Sequence, residues 1–414
     1  GKRVMRLAHC PLSLILLFVL LLLNGCAQTS TSPSNQQNMM LGAEQLERYL
    51  PQLQGKRVGL IVNQTSVLYP NTPNSIHLVD ALLQHHINVV SVFAPEHGFR
   101  GNQGAGEMIE DNIDTTTGLP IISLYGQTKA PTQAMLANID VLVFDIQDVG
   151  VRFYTYISTM HYAMAAAAKY NVDMLILDRP NPNGQYVAGP ILAPEFRSFV
   201  GMHPIPVVHG LTVGELALMI KGEHWIEHAD NLTLNVISLT NYRKTDPYPL
   251  PIPPSPNLPN ASSVRWYASL CLFEPTHISV GRGTALPFQM LGHPTLIWPD
   301  TSLTQIVPQK DPVAAPYPKW ENTPLNALFI DDFEIRSYSV TGFDLRLLHY
   351  VFSLARAQGI DLITSESFFD KLAGSDTLRK ALLQGESIEQ IEARWQSGLS
   401  QYQSQRQPYL LYPE

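Results

Sequence analysis

Four short strings place carboxylates, amides and arginines directly after apolar runs or around glycines. The first is Asn88 to Gly101, reading NVVSVFAPEHGFRG. Its apolar half ends at Pro95, which has no amide hydrogen to continue a ladder. Glu96, His97 and Arg100 follow at once. A carboxyl beside a buried strand is desolvated, which raises its pKa and suits a general acid. The second string, Asp140 to Tyr156, again ends an apolar run in polar groups: Asp145, Gln147, Asp148 and Arg152. The third, Asp178 to Gly184 (DRPNPNG), sets Asp178 and Arg179 in a turn stiffened by prolines. The fourth joins Glu274 to Gly281-Arg282-Gly283-Thr284, where glycines let a ligand approach the backbone of Arg282. A guanidinium there suits a carboxylate or phosphate. Each string carries an arginine within an acidic chain, which points to a small anionic ligand. Each also has a plainer reading, as a helix cap, an internal ion pair or a solvated turn.

These strings need a scaffold that brings them together. Apolar β-branched runs at Arg57–Val62, Val89–Phe93, Pro120–Tyr125, Val141–Asp145, Met174–Asp178 and Leu234–Ser238 read as strands. Apolar spacing predicts helices over Glu44–Leu53, Ser75–His86, Thr155–Tyr170 and Thr212–Glu223. The last has a Thr cap and a Glu three residues on. Alternating strands and helices predict an α/β fold with a doubly wound parallel sheet. Such a sheet gathers ligands at the carboxyl ends of its strands. Tyr248–Pro259 (YPLPIPPSPNLP) is too proline-rich for either element and reads as a crossover between domains. Beyond it the pattern is mixed, with helices near Asp344–Gln358, Ser375–Gln384 and Ser387–Trp395. Strands are expected there near Leu328–Asp331 and Phe333–Ser337.

The chain has 414 residues, 45% hydrophobic and 15% charged, with a formal net charge of -8. No Lys/Arg stripe is present, which argues against a nucleic-acid partner. Lys2, Arg3 and Arg6 precede the apolar run Leu14–Leu23, which is shorter than the ~20 residues needed to span a bilayer. Leu23-Asn24-Gly25-Cys26 resembles the lipobox of bacterial lipoproteins. Residues 1–25 are therefore expected to be a signal peptide, with Cys26 acylated and 26–41 a flexible tether. Ala27 in place of Asp favours the periplasmic face of the outer membrane in a Gram-negative source. Of three cysteines, Cys10 leaves with the signal and Cys26 takes lipid. Cys271 remains as a buried small hydrophobe, so no disulfide framework exists.

Several familiar sites are missing. The turn Val62-Asn63-Gln64-Thr65-Ser66 after the first strand has no G-x-G-x-x-G, which disfavours a dinucleotide. There is no P-loop and no G-x-S-x-G elbow, and no cofactor is expected. His224-Trp225-Ile226-Glu227-His228 matches H-x-x-E-H, an inverted zinc-protease pattern, with no third ligand in view. It supports a zinc hydrolase only as a distant alternative, and no metal is expected.

The strings VNQTS, FAPEHGFRG, TGLPIISLYG, VLVFDIQDVGVRFYTYISTM, LDRPNPNG, GLTVGELA, SPNLPN and GRGTALPFQMLG occur in this order. Together they resemble the NamZ-like exo-β-N-acetylmuramidases, from about Gly42 onward. The resemblance implies a Rossmann-like catalytic domain over 42–247 and a linker at 248–260. It further implies a smaller mixed domain over 261–414, with the active-site cleft between the two domains. It implies release of N-acetylmuramic acid from the non-reducing end of peptidoglycan fragments, with Glu96 as the catalytic glutamate. Glycoside hydrolysis usually needs a second carboxyl, and Glu274, Asp145 and Asp148 are the candidates. Asn63, His97, Arg100, Gln147, Asp148, Arg152, Asp178, Arg179 and Arg282 are the expected substrate contacts, Arg282 reading the lactyl carboxylate. Where relatives often read E-G-T-N, this chain has Glu274-Pro275-Thr276-His277. A rival reading of the same cleft is a non-catalytic lipoprotein that captures muropeptides.

Overall fold

The computed structural model describes residues 38–95, 99, 112–299, 304–331 and 342–414. Its strands are β1 (Arg57–Val62), β2 (Val67–Leu68), β3 (Ile76–His77), β4 (Asn88–Ala94), β5 (Asn112–Ile113), β6 (Pro120–Ser123), β7 (Val141–Asp145), β8 (Asp173–Leu177), β9 (Leu234–Ile237), β10 (Met290–His293), β11 (Thr304–Ile306) and β12 (Leu325–Phe329). The large sheet has the order β5-β6-β4-β1-β7-β8-β9. All neighbours are parallel except β5, which lies antiparallel on the edge strand β6. The chain winds outward from β1 through β4 to β6. It then returns to β7, on the other side of β1, and winds out through β8 to β9. The direction of winding reverses between β1 and β7, which is where a doubly wound sheet opens a crevice.

Strand periodicity explains the two layers. Val58, Leu60 and Val62 of β1 point to one face, with Val141, Val143, Leu175 and Leu177. They are covered by Tyr49 and Leu53 of α1 (Leu46–Leu53) and Leu78 and Leu82 of α2 (Leu78–Gln84). The intervening residues Ile61, Leu142, Phe144, Met174 and Ile176 point to the other face. There the short α3 (Gln133–Leu136), α4 (Tyr156–Tyr170) and α5 (Val213–Gly222) complete the cover. Thr212 caps α5 as its sequence foretells, its hydroxyl accepting the Glu215 amide while Glu215 accepts the Thr212 amide.

The second core cluster does not stop at the sheet. It continues through Trp266 of α6 (Ala261–Leu270), Leu291 of β10 and Leu345 and Val351 of α7 (Leu345–Ala357). Four further helices follow: α8 (Glu366–Ala373), α9 (Thr377–Gln384), α10 (Ile388–Ala393) and α11 (Gln396–Arg406). β10, β12 and β11 form a small antiparallel sheet. Residues Met39–Glu414 make one compact unit. After α11 the chain returns to the large sheet. The Leu411 amide donates to Glu215, the Tyr412 hydroxyl donates to Asp178, and the Tyr412 oxygen accepts the Leu239 amide.

Two departures from expectation have local causes. The helix expected over Ser75–His86 begins only at Leu78, because Ile76–His77 pair with Val67–Leu68 and the His77 ring accepts the Val79 amide as a cap. α6 carried no sequence signal, since Trp266, Tyr267, Ala268 and Leu270 are all buried and no polar stripe marks a period. The strand expected at Leu328–Asp331 runs from Leu325 to Phe329. The one expected at Phe333–Ser337 lies outside the described residues. Tyr248–Pro259 forms neither helix nor strand. The carbonyls of Pro251, Pro253 and Pro254 accept hydrogen bonds from Asn71, Gln64 and Tyr156.

Candidate functional site

At the switch point, β1 runs into Asn63-Gln64-Thr65-Ser66 and β7 into Ile146-Gln147-Asp148, with Val62 paired to Asp145. The two turns are tied to each other. Asn63 Oδ1 accepts the Thr65 amide and hydroxyl at 2.8 and 2.6 Å. Thr65 Oγ1 accepts the Gln147 amide at 3.0 Å. Ser66 Oγ donates to the Asp145 carbonyl. Gln147 Nε2 donates to the carbonyls of Asp148 and Pro180, both at 2.7 Å, which joins the third string to the second. His77 Nε2 meets the Asn63 carbonyl at 2.8 Å, and its ring lies edge-on to Phe99 at 5.2 Å. Glu96, His97 and Arg100 themselves lie outside the described residues.

Three of the four expected anion-binding arginines are described, and each has partners within the chain. Arg179 is buried and bidentate to Asp145, at 2.6 and 3.0 Å. Arg282 donates to Glu274 at 2.6 Å and lies over the Phe288 ring. Arg152, with no exposed surface, donates to the carbonyls of Pro190, Ile205 and Leu372. It has no carboxylate partner among the described residues, and burial pushes its pKa down to about 9. A buried cation must be neutralised or hydrogen-bonded, and each of these three is met from inside the fold. Asp178 is likewise internal. It accepts from the Thr212 hydroxyl, the Gly214 amide and Tyr412, at the start of α5, and burial raises its pKa to about 7. The expected substrate contacts at Arg152 and Asp178 are therefore structural ties.

The same pairing separates the candidate carboxyls. Asp145 and Glu274 each hold a guanidinium. Asp148 has none. One of its oxygens accepts the Gly150 amide at 3.0 Å, and Oδ1 has no partner among the described residues. Burial pushes its pKa up to about 7. Asn63 Nδ2, on the adjoining turn, is a buried donor that also lacks a described partner. Such atoms cost free energy unless something arrives to satisfy them. From this turn an aromatic chain leads to the fourth string: Tyr154 to Tyr267 at 5.5 Å, Tyr267 to Phe288 at 5.1 Å, then Arg282.

Sequence reasoning missed Tyr154, Tyr267 and Lys319. Lys319 Nζ donates to the carbonyls of Phe273, Glu274, Thr276 and Ile278, which fixes the loop carrying Glu274. No pattern around Lys319 announces this. Cys271 is buried with its Sγ 3.7 Å from the Tyr267 hydroxyl, and burial pushes the thiol up to about 12. The H-x-x-E-H string falls beyond the end of α5, with His224 and His228 both in left-handed backbone. They cannot share a helical face, and exposed His224 pairs with Asp230 instead. Among the described residues no cluster of His, Cys, Asp or Glu could hold a metal.

A parallel sheet of this order, with buried unpartnered polar atoms at its switch point, defines a doubly wound α/β protein, the class in which ligands collect at the carboxyl ends of the strands. The comparisons give the family. The N-terminal model of the exo-β-N-acetylmuramidase NamZ matches residues 58–262 and the C-terminal model matches 265–412. The chain belongs to this family. It is 38% identical over 383 residues to the peptidoglycan β-N-acetylmuramidase NamZ of Bacillus subtilis (strain 168), covering 89% of each chain. Two solved structures of DUF1343 family proteins from Bacteroides fragilis NCTC 9343 share the fold. One has a TM-score of 0.79 and 41% identity, covering 91% of this chain and 99% of that one. The other has a TM-score of 0.76 and 30% identity, covering 90% and 99%.

Proposed function

We propose that this chain is an exo-acting glycoside hydrolase that releases N-acetylmuramic acid from the non-reducing end of peptidoglycan fragments. Family membership and the likeness to the Bacillus enzyme support the reaction. The observation that carries the assignment of residues is Asp148, a buried carboxyl at the switch point with one oxygen unpartnered and no cation beside it among the described residues. Glu96, two positions past the end of β4 in the sequence, is the general acid that protonates the leaving oxygen, an effect typically worth about 10²–10⁴ in rate. Asp148 is the second carboxyl, working in its charged form on the sugar's other side or on its acetamido group. Asp145 and Glu274 hold Arg179 and Arg282 in place, and Asn63 Nδ2 donates to the substrate.

The test is hydrolysis of a chromogenic N-acetylmuramide by wild type, Glu96→Gln and Asp148→Asn, with and without chelator. Wild type turns over unaffected by chelator, and both variants lose at least about 10²-fold in kcat while still binding the product. Near-wild-type turnover in Glu96→Gln removes Glu96 from the mechanism. Tight binding with no turnover in wild type replaces the hydrolase by a binding protein.

Location belongs to the same proposal. The string before Cys26 supports an acylated form held at the periplasmic face of the outer membrane, although these residues lie outside those described. Cys26→Ser is expected to move the protein from the membrane fraction to the soluble fraction. A Ser variant that stays bound ends this reading.

A further inference from the structure

α4 carries a second constellation, remote from the strand ends. Its first residue, Tyr156, bonds to the Pro254 carbonyl beside the switch point. At about 1.5 Å rise per residue, Lys169 lies about 20 Å further along the helix. Along this stretch a cavity of about 390 Å³ is lined by His161, Tyr162, Lys169, Arg197, Trp225 and Glu227, among others.

The hydrogen bonds fix its charge. Arg197 Nη2 meets His161 Nε2 at 3.1 Å, and His161 Nδ1 meets His203 Nε2 at 2.9 Å. A guanidinium only donates, so His161 Nε2 is bare and its proton sits on Nδ1. That proton is donated to His203 Nε2. Both rings are thus neutral, and burial lowers the pKa of each. The relay holds Arg197 at the cavity without cancelling its charge. Neither Arg197 nor Lys169 has a carboxylate partner among the described residues. The aromatic walls are held as well. Trp225 lies on the His203 ring at 5.6 Å, and Tyr162 stacks on Phe199 at 6.2 Å. Arg197 and Lys169 thus bring two positive charges to one aromatic-walled cavity.

We propose that this cavity is a second saccharide site, which stacks the ring of an acidic sugar on Trp225 and Tyr162 and takes its carboxylate on Arg197 and Lys169. Exposed Glu227 accepts a hydroxyl at the rim. The inference rests on the peptidoglycan reading, in which each N-acetylmuramic residue freed of its stem peptide carries such a carboxylate. The site holds the glycan on the flank of α4 while its end is processed at the switch point. A neutral N-acetylglucosamine lacks the group that Arg197 reads, and loses the charge-assisted hydrogen bonds.

The test measures both stoichiometry and turnover. Wild type is expected to bind two equivalents of N-acetylmuramic acid by calorimetry, and the Arg197→Ala/Lys169→Ala double variant one. N-acetylglucosamine is expected not to fill the second site. The double variant keeps its kcat/KM on the chromogenic monosaccharide and loses about tenfold in release from glycan strands stripped of their stem peptides. Trp225→Phe is the milder control, retaining a stacking face and most of the second equivalent. A single equivalent in wild type overturns the proposal. So does an equal loss on both substrates in a double variant that melts like wild type. If wild type hydrolyses neither substrate, the hydrolase reading fails, and the count of equivalents alone decides the site.

Discussion

Asp148 and Arg152 sit four residues apart and show how burial sorts side chains of similar promise. Both stood out in the sequence as polar groups after a strand, and both are buried. Nothing in the one-dimensional pattern reveals partners, because these come from Gly150, Pro190, Ile205 and Leu372. Arg152→Lys keeps a charge but cannot reach three carbonyls in the same fork geometry. It is expected to cost about 3 kcal/mol, read as a lower melting temperature with KM on the chromogenic substrate unchanged. A raised KM at unchanged stability would return Arg152 to the substrate. For Asp148, pushed up to about 7, kcat/KM is expected to rise with pH through about 7 as the carboxyl ionises. Asp148→Asn should abolish that limb. Stability runs the opposite way. Asp148 and Asp178 bind protons more tightly folded than unfolded. Their contribution is full below the ordinary carboxylate pKa of about 4 and is lost as pH rises through about 7. Melting temperature should therefore fall between about pH 4 and 7 and level off above that, less steeply in Asp148→Asn.

Elements were legible where their residues repeat with one period. β1 and β7 match their expected limits, and β4, β8 and β9 differ by a residue or so, since buried parallel strands read as unbroken apolar runs. α4 and α5 were plain for the same reason, with a polar cap at the start of α5. The turns between them were not, because turn shape depends on distant side chains. Gly150 shows this: at φ +76 it is left-handed, and an added Cβ would lie 2.1 Å from Asn181 Oδ1. Asn181 in turn donates to the Leu211 carbonyl and accepts the Asn183 amide. Gly150→Ala is thus expected to cost about 2–4 kcal/mol from backbone strain and overpacking, and to depress kcat by moving Asp148. A variant with wild-type melting and turnover would show that this turn does not need glycine.

For the whole molecule, the sheet order with β1 and β7 at its centre is what turns separate strings into one site. βαβ alternation announced a parallel sheet but not its order, so the meeting of the turns after β1 and β7 was only half within reach of the sequence. The return of residues near 412 to β8 was not, for no local pattern marks a tyrosine that will bond to an aspartate 234 positions earlier. Tyr412→Phe removes the donor to Asp178 and the acceptor for Leu239, and is expected to cost about 1–3 kcal/mol. Residues 39–262 produced alone should lack near-UV ellipticity and be cut rapidly by protease, since their sheet face shares its apolar cover with α6 and α7. A stable, protease-resistant fragment would show that this half folds by itself.

The bond between Tyr412 and Asp178 also sets a clock. A chain delivered from its amino end has β8 in hand long before Tyr412 arrives, and for that interval the carboxyl at the head of α5 lacks its last donor. The sheet's polar centre is therefore finished only after Tyr412 has emerged. A chain cut short before Tyr412 lacks a bond inside the sheet's own polar centre.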